Sequence, residues 1–372
     1  MDQGMRVAML LTDAYGGFGG ISRFNRDFLE GLDATPSVAH VHALPRLIPE
    51  TIDDIIPESV IYDRRAAGGL KAYIRRLASL AVFGRKLDLV VCGHVNLLTA
   101  AYLLARLHRC PVALIIHGID AWSPTSHKRA NFLAGRVDHV LSVSSCTADR
   151  FCAWSGLPRE RVTLLPNCVD LAAFPVQARD ETLVERYGLG DAKVLLTVGR
   201  LASEERYKGF DEVIEVLPSL HKVEPNVKYL IVGDGPDASR LKQKVAYMGL
   251  DRHVVFAGRV PEAEKAAHYG LADAYVMPSS GEGFGIVYLE AAACGVPVIG
   301  SRTDGSRDAL LDGRLGHLVT PSDPSEIMRA VLEVIRVPHP RSRRPELDYF
   351  SKPQFNRRLQ GFLQEKVIPA GT

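Results

Sequence analysis

The sequence lacks an uninterrupted hydrophobic run of membrane-spanning length, any paired-cysteine pattern and any excess of one charge, and each absence removes a class of protein. The first apolar stretch, from Val7 to Leu11, stops at Thr12 and Asp13 and is too short for a signal-peptide core or a membrane span. The longest remaining window, 87–107, is broken by Asp88, Gly93, His94 and Asn96, so it reads as a strand followed by a helix. Six cysteines (Cys92, Cys110, Cys146, Cys152, Cys168 and Cys294) are scattered through apolar stretches without a CxxC pair. That spacing excludes a disulfide-stapled secreted domain and points to reduced, mostly buried thiols in a cytosolic protein. Twelve histidines include no HExxH and no Cys/His ligand spacing, so no metal is expected. A net charge of +2 gives no global attraction for nucleic acid, and any electrostatic recognition must be local.

What is present is a rhythm. At 372 residues the chain exceeds the usual size of one core, which favours two domains. Short apolar runs rich in β-branched residues recur, each followed by a turn and a longer helix-period segment: RVAMLLT, LDLVVCGH, PVALIIHG, HVLSVS and VTLLPN in the first half. KVLLTVGR, KYLIVGDG, HVVFAGRV, AYVMPSS, PVIGS and GHLVT follow in the second half. Strands apolar on both faces and alternating with helices predict an α/β protein with parallel sheets, here two Rossmann-like domains in tandem. The polar stretch 175–193 marks the boundary, giving domains 1–178 and 179–350. A second polar stretch, 336–348, leads to a last helix at about 353–365, within a segment 351–372 expected to pack back on the first domain.

Three places could carry chemistry. Gly16, Gly17, Gly19 and Gly20 follow the first strand and precede a helical pattern, where glycine lets backbone N–H groups approach an anion and the helix dipole favours it. The dinucleotide reading requires an acid near the end of the second strand, but that region reads VAHVHALP. The Walker reading requires Gly-Lys-Ser/Thr at the helix start, which is absent. A phosphate, a sugar or a plain turn remain open there. Arg200 ends a strand and Lys208 precedes a helix, so both cations stand at the carboxyl edge of a parallel sheet and suit a diphosphate. In SSGEGFGIVYLEAAACG, Glu282 and Glu290 are eight positions apart, too far for one face of a continuous helix, so Glu282 falls in the loop and Glu290 on a helix from about Gly285 to Gly295. The N–H groups of Phe284, Gly285, Ile286 and Val287 can then meet an anion, with a carboxylate on either side for polyol hydroxyls. That combination describes a nucleotide sugar. A paired acid and base is the rival reading, but both would come from one short segment with little room for substrate between them.

Together these residues resemble the retaining glycosyltransferases of family 4, also called group 1. The resemblance rests on the Gly19-Gly20 turn, HGID (His117 to Asp120), LPNCVD, VGRL with Lys208, VGDGP, FAGRV and EGFGIVYLE, in the family's order along nearly the whole chain. It implies the GT-B architecture, two Rossmann-like domains with parallel sheets facing across a cleft, and transfer of a hexosyl group from a UDP- or GDP-sugar to a saccharide or lipid-linked acceptor hydroxyl, without metal or other cofactor. It further implies that Arg200 and Lys208 neutralise the diphosphate with backbone donors at Gly20, Ile286 and Val287. Glu290 would hold the ribose, Glu282 with the Phe284-Gly285 backbone the donor sugar, and the main chain near Val260 the base. Gly19 would border the donor, and His117 and Asp120 would lie on the acceptor side, with His117 facing the sugar. His117, Arg200, Lys208 and Glu282 are thus the expected catalytic set. One departure is visible: many relatives carry Gly-Gly-x-x-Glu after the PVIGS strand, whereas this chain reads TDGSRDAL, with Asp304, Gly305 and Asp308 there.

Residues 64–86 carry seven basic side chains and no acidic one, with Leu70, Tyr73, Ile74, Leu77 and Leu80 at helical spacing. The pattern suits an anionic membrane surface, with an inward-packed face as the plainer alternative. A peripheral position on the inner face of a membrane, in polysaccharide or lipid-linked glycan assembly, is the corresponding expectation. An epimerase, a phosphorylase or a non-catalytic sugar-nucleotide binder on the same architecture remains open.

Overall fold

The computed structural model describes residues 4–337 and 341–368, so residues 338–340 of the predicted connector and the last four residues of the C-terminal segment lie outside the described residues. The chain forms two compact units, one of residues up to Cys168 together with those from Lys352 onward, the other Val169–Ser351. Each is built on a parallel sheet, the arrangement that strands apolar on both faces require.

The sheet of the first unit has seven strands in the order β3-β2-β1-β4-β5-β6-β7. They are β1 (Met5–Leu11), β2 (Val38–Pro45), β3 (Val60–Tyr62), β4 (Leu89–Cys92), β5 (Val112–Ile116), β6 (His139–Ser142) and β7 (Val162–Leu164). The helices are α1 (Gly20–Asp33), α2 (Leu70–Phe83), α3 (Leu98–His108), α4 (Lys128–Ala134) and α5 (Ser145–Ser155). Every strand pair is parallel. The order reverses between β1 and β4, so right-handed crossovers send α1 to one face and α2 to α5 to the other. On that second face Tyr73, Leu80, Ala101, Ala130 and Phe151 close one core over Leu10, Cys92 and Leu114.

The sheet of the second unit has six strands in the order β10-β9-β8-β11-β12-β13. They are β8 (Lys193–Val198), β9 (Val227–Val232), β10 (Val254–Gly258), β11 (Ala274–Met277), β12 (Val298–Ser301) and β13 (His317–Val319). The helices are α6 (Glu181–Arg186), α7 (Phe210–His221), α8 (Ala238–Tyr247), α9 (Lys265–Gly270), α10 (Ile286–Ala293), α11 (Ser306–Ala309) and α12 (Pro324–Arg336). Here the reversal lies between β8 and β11.

Residues 169–178, expected in the first domain, group with the second unit instead. Val169 N–H donates to the Phe350 carbonyl (2.9 Å), the Arg343 guanidinium grips the carbonyls of Leu171 (2.6 Å) and Phe174 (2.7 Å), and the Phe174 ring packs on Tyr269. These ties run through main-chain carbonyls, which composition does not show. The last helix, α13 (Lys352–Phe362), buries Phe355, Leu359 and Phe362 at i, i+4 and i+7, the spacing of a helical face. It lies on α1, where Phe355 meets the Phe24 ring edge-on at 5.7 Å and Lys352 pairs with Glu30 and Asp27. Phe355→Ala should therefore cost about 3–5 kcal/mol of stability in denaturant unfolding, whereas a loss of the size of a surface substitution would show that α13 contributes no core.

Candidate active site

Parallel strands deliver their carboxyl ends to one edge, and ligands of open α/β sheets bind where the strand order reverses. In the second unit that point is the β8/β11 junction, and the predicted residues follow those strands: Arg200 and Lys208 after β8, Glu282 after β11, Glu290 on α10. The loops are tied to one another. Ser280 N–H donates to the Tyr207 carbonyl (2.8 Å), and the Tyr207 ring packs against Gly281.

Lys208 Nζ lies 3.0 Å from Glu282 Oε2 and 3.7 Å from Glu205 Oε2, with only 14% of its side chain exposed. Burial alone would push its pKa down. The carboxylate of Glu282, the Tyr207 phenol and Glu205 outweigh it and raise the pKa above the usual lysine value, so the ammonium stays charged. Arg200 pairs with the same Glu205, and most of its side chain is exposed. The two predicted cations are thus joined through a carboxylate that sequence reasoning missed, although Glu205 stands at i−3 to Lys208 in SEERYK. Burial also pushes the Tyr207 phenol up to about 12.

The Glu282 loop is held from behind by a second missed residue. Asp304, 1% exposed, accepts hydrogen bonds from Ser279 Oγ (2.7 Å), Glu282 N–H (2.8 Å) and Ser306 N–H (3.0 Å). Burial raises the Asp304 pKa, and these bonds pull it partly back. Gly305 N–H donates to the Glu282 carbonyl (2.8 Å), and a Cβ at Gly305 would fall 1.9 Å from the Gly283 carbonyl oxygen, so glycine alone fits this approach. The TDGS turn that departs from the family pattern is therefore a clamp on the Glu282 loop. Gly285 caps α10 with φ +86, a left-handed conformation suited to glycine. The Phe284 ring turns inward against Phe350, leaving its backbone at the helix start. The first N–H groups of α10, at Ile286 and Val287, have no carbonyl ahead of them within the helix.

Glu290 is nearly buried on α10. It accepts from Tyr269 O–H (2.7 Å), and its other oxygen lies 3.9 Å from Lys265 Nζ, which also pairs with Glu262 at 2.8 Å. That chain reaches the turn after β10, two residues beyond whose last residue stands Val260. Tyr269 carried no sequence signal.

In the first unit, Gly19 and Gly20 open α1 after β1 with nothing within 4 Å of an added Cβ. His117 follows β5, and its Nε2 lies 3.0 Å from the Gly93 carbonyl. A carbonyl only accepts, so Nε2 carries the proton and Nδ1 presents a lone pair. Burial lowers the His117 pKa and keeps the ring neutral. Asp120 Oδ2 is buried without a hydrogen-bond partner among the described residues and lies 4.0 Å from His94 Nε2. A separate cavity of about 410 Å³ lies at the opposite end of this sheet, lined by Arg6, His42, Leu80 and Phe83, and contains none of the predicted donor-binding, catalytic or acceptor-side residues. Among the described residues no group of three or more His, Cys, Asp or Glu side chains is arranged to hold a metal ion.

The two units define an α/β protein of two Rossmann-like folds, with cations and carboxylates gathered at the strand-order reversal of the second. Comparison with known proteins is specific. The family described as "Glycosyl transferases group 1" matches residues 192–336, within the second unit, and "Glycosyltransferase Family 4" matches 18–173, almost all in the first. The chain belongs to the group 1, family 4 glycosyltransferases. It is 36% identical over 233 residues to a GDP-mannose-dependent alpha-(1-6)-phosphatidylinositol monomannoside mannosyltransferase of Mycolicibacterium smegmatis, covering 60% of each chain. It is 31% identical over 254 residues to a glycogen synthase of Mycobacterium tuberculosis, covering 66% of this chain and 59% of that one. The chain thus spans about 60% of the length of these relatives. Among solved structures, the lipopolysaccharide outer core galactosyltransferase WaaB matches with a TM-score of 0.73 at 19% identity, covering 97% of this chain and 100% of that one. Anabaena HepE in complex with UDP-glucose matches with a TM-score of 0.68 at 20% identity, covering 98% and 95%. These structural likenesses are ones of fold.

Two outcomes follow. Asp304→Asn leaves an amide with one acceptor oxygen facing three donors, so it should cost about 1–3 kcal/mol of stability and speed hydrogen exchange at 279–284; wild-type values for both would contradict the clamp. A histidine whose folded pKa lies below the usual value of about 6.5 binds its proton more readily when unfolded, so it removes stability as pH falls below that value. His117→Gln should therefore flatten the loss of stability between pH values of about 7.5 and 5 in denaturant titrations, and an unchanged slope would count against the neutral ring.

Proposed function

We propose that this chain is a retaining hexosyltransferase that takes its sugar from a nucleotide diphosphate sugar and gives it to an acceptor hydroxyl, with no resident cofactor. The observation that carries the reading is the Lys208 ammonium, kept charged between Glu282 and Glu205 at the β8/β11 reversal, with Glu282 in the loop that leads into α10. On this reading the diphosphate takes the place of those carboxylates as counter-charge, with Arg200, Lys208 and the N–H groups of Ile286 and Val287 around it. Glu290 accepts from ribose, Glu282 with the Phe284-Gly285 backbone holds the donor hexose, and the main chain near Val260 meets the base. From the first unit, the Gly20 N–H is a further donor to the diphosphate with Gly19 bordering the donor, and His117 and Asp120 serve the acceptor side, His117 facing the sugar.

The reaction breaks the bond from the anomeric carbon to the diphosphate oxygen and forms one to the acceptor oxygen on the same face, while the acceptor proton passes to the leaving phosphate. Charge then grows on that phosphate, and preorganised cations and N–H donors are the groups that stabilise it. The first mannosyltransferase relative uses GDP-mannose and acts on a phosphatidylinositol mannoside, which supports GDP-mannose as the first donor to test and a lipid-linked or saccharide acceptor. UDP-glucose, present in the HepE complex, is the second donor. Six cysteines scattered without paired spacing support a reducing, cytoplasmic setting.

The test is turnover with these donors and a mannosylated acceptor, with the product anomer read by NMR. Retention is expected, and inversion would contradict the proposal. Lys208→Ala and Glu290→Ala should each lose about 1.5–3 kcal/mol of interaction with the donor, a fall of about 10- to 150-fold in kcat/KM. Wild-type kcat/KM in both would overturn the assignment.

A further inference from the structure

We infer that the cavity of about 410 Å³ in the first unit binds a small organic phosphate carrying a flat apolar ring, at a site separate from the donor. The cavity lies between strands β1 to β3 and the second half of α2 with the turn that follows it. Parallel register sets Arg6 beside His40 and His42 beside Ile61, and residues two apart on a strand share a face. The strands thus present these four side chains together, while α2 adds Arg76, Leu80 and Phe83 and the turn adds Arg85. The wall holds three guanidinium groups, two imidazoles and no carboxylate. Asp63, 7% exposed, stands outside it and accepts from Arg76 Nε (2.6 Å), and Asp88 accepts from the Arg6 main-chain N–H (2.8 Å). Asp63 thereby fixes the Arg76 guanidinium, whose terminal N–H groups have no hydrogen-bond partner among the described residues. Arg85 has no ion-pair or side-chain hydrogen-bond partner among them either. His42 Nε2 is buried 3.6 Å from Asp63 Oδ2 and likewise makes no hydrogen bond among the described residues.

Three guanidinium groups around one hollow repel one another, and an anion among them replaces that repulsion with attraction. Guanidinium forks match the oxygens of a phosphate, which two or more of them can hold at once. The same wall offers Leu80, Ile61, which is 56% exposed, and Phe83, which is 86% exposed. An aromatic face and two aliphatic side chains suit a flat ring, which would cover them from water. A bare anion would leave Ile61 and Phe83 hydrated, and an uncharged ring would leave the guanidinium groups unneutralised. The volume falls among small-molecule sites, which run from about 300 to 1,000 Å³. This inference does not depend on the donor-site reading, since Arg6 stands at the start of β1 whereas Gly19 and Gly20 follow its far end.

The test is calorimetric titration of the full chain with phenyl phosphate, and with inorganic phosphate and phenol as its two halves. Saturable binding of phenyl phosphate at millimolar concentration is expected, at least about tenfold tighter than inorganic phosphate, with phenol weaker still. Arg85→Ser should weaken it about tenfold or more. Phe83→Ser should remove the preference for phenyl phosphate over inorganic phosphate. Both side chains are exposed, so the thermal unfolding curves should match wild type. Lys208→Ala, in the donor site of the second unit, should leave the titration unchanged. Absence of saturable binding, equal affinity for inorganic phosphate, or binding that Arg85→Ser and Phe83→Ser leave intact would overturn the proposal. So would binding that Lys208→Ala removes and Arg85→Ser spares, because the phosphate would then occupy the donor site.

Discussion

A lysine ammonium withdrawn from water needs an opposite charge, and in the second unit that requirement organises the site. Removing an ion from water costs several kcal/mol unless it is paired with good geometry. Lys208 meets the condition with Glu282 at 3.0 Å and Glu205 at 3.7 Å. Glu282 lies in a glycine-flanked loop, so its position depends on what holds the loop: Asp304 gathers three donors beneath it, and Gly305 comes close enough to exclude a side chain. The parallel sheet makes the meeting possible by bringing the loops after β8, β11 and β12 to one edge.

Much of this was legible in the sequence because its signals are local. The runs KVLLTVGR and AYVMPSS announce buried parallel strands, and Arg200, Lys208 and Glu282 occupy their carboxyl-side loops as expected. Eight positions between Glu282 and Glu290 put one in a loop and the other on a helix, and α10 begins at Ile286, one residue from the predicted start. The short edge strand β3, three residues long, passed unnoticed because so brief an alternation carries little period. Asp304, Tyr269 and Arg343 were illegible as partners because what they do depends on which segments the fold brings together. Tyr269 is 21 positions from Glu290, and Arg343 grips carbonyls 169 and 172 positions away.

The first unit shows the same division. The Gly19-Gly20 turn opens α1 in the connection after β1, and His117 directly follows β5, as the pattern of strand and glycine indicates. A helical stripe, however, states only that a helix has an apolar side. In α2 the packing of Tyr73 and Leu80 on the sheet leaves Leu70, Ile74 and Val82 on the outside, and Arg76 gains meaning from Arg6 and His42 of the neighbouring strands. A sequence window of one helix cannot contain that juxtaposition.

The central claim is that Lys208 exchanges its carboxylate partners for a diphosphate. A crystal structure of the chain soaked with GDP-mannose or UDP-glucose tests it most directly. The account predicts diphosphate oxygens within hydrogen-bond distance of Lys208 Nζ, the Arg200 guanidinium and the N–H groups of Ile286 and Val287, with Glu282 turned to the hexose. A bound donor whose diphosphate lies away from Lys208, with the Lys208–Glu282 pair unbroken, would contradict it.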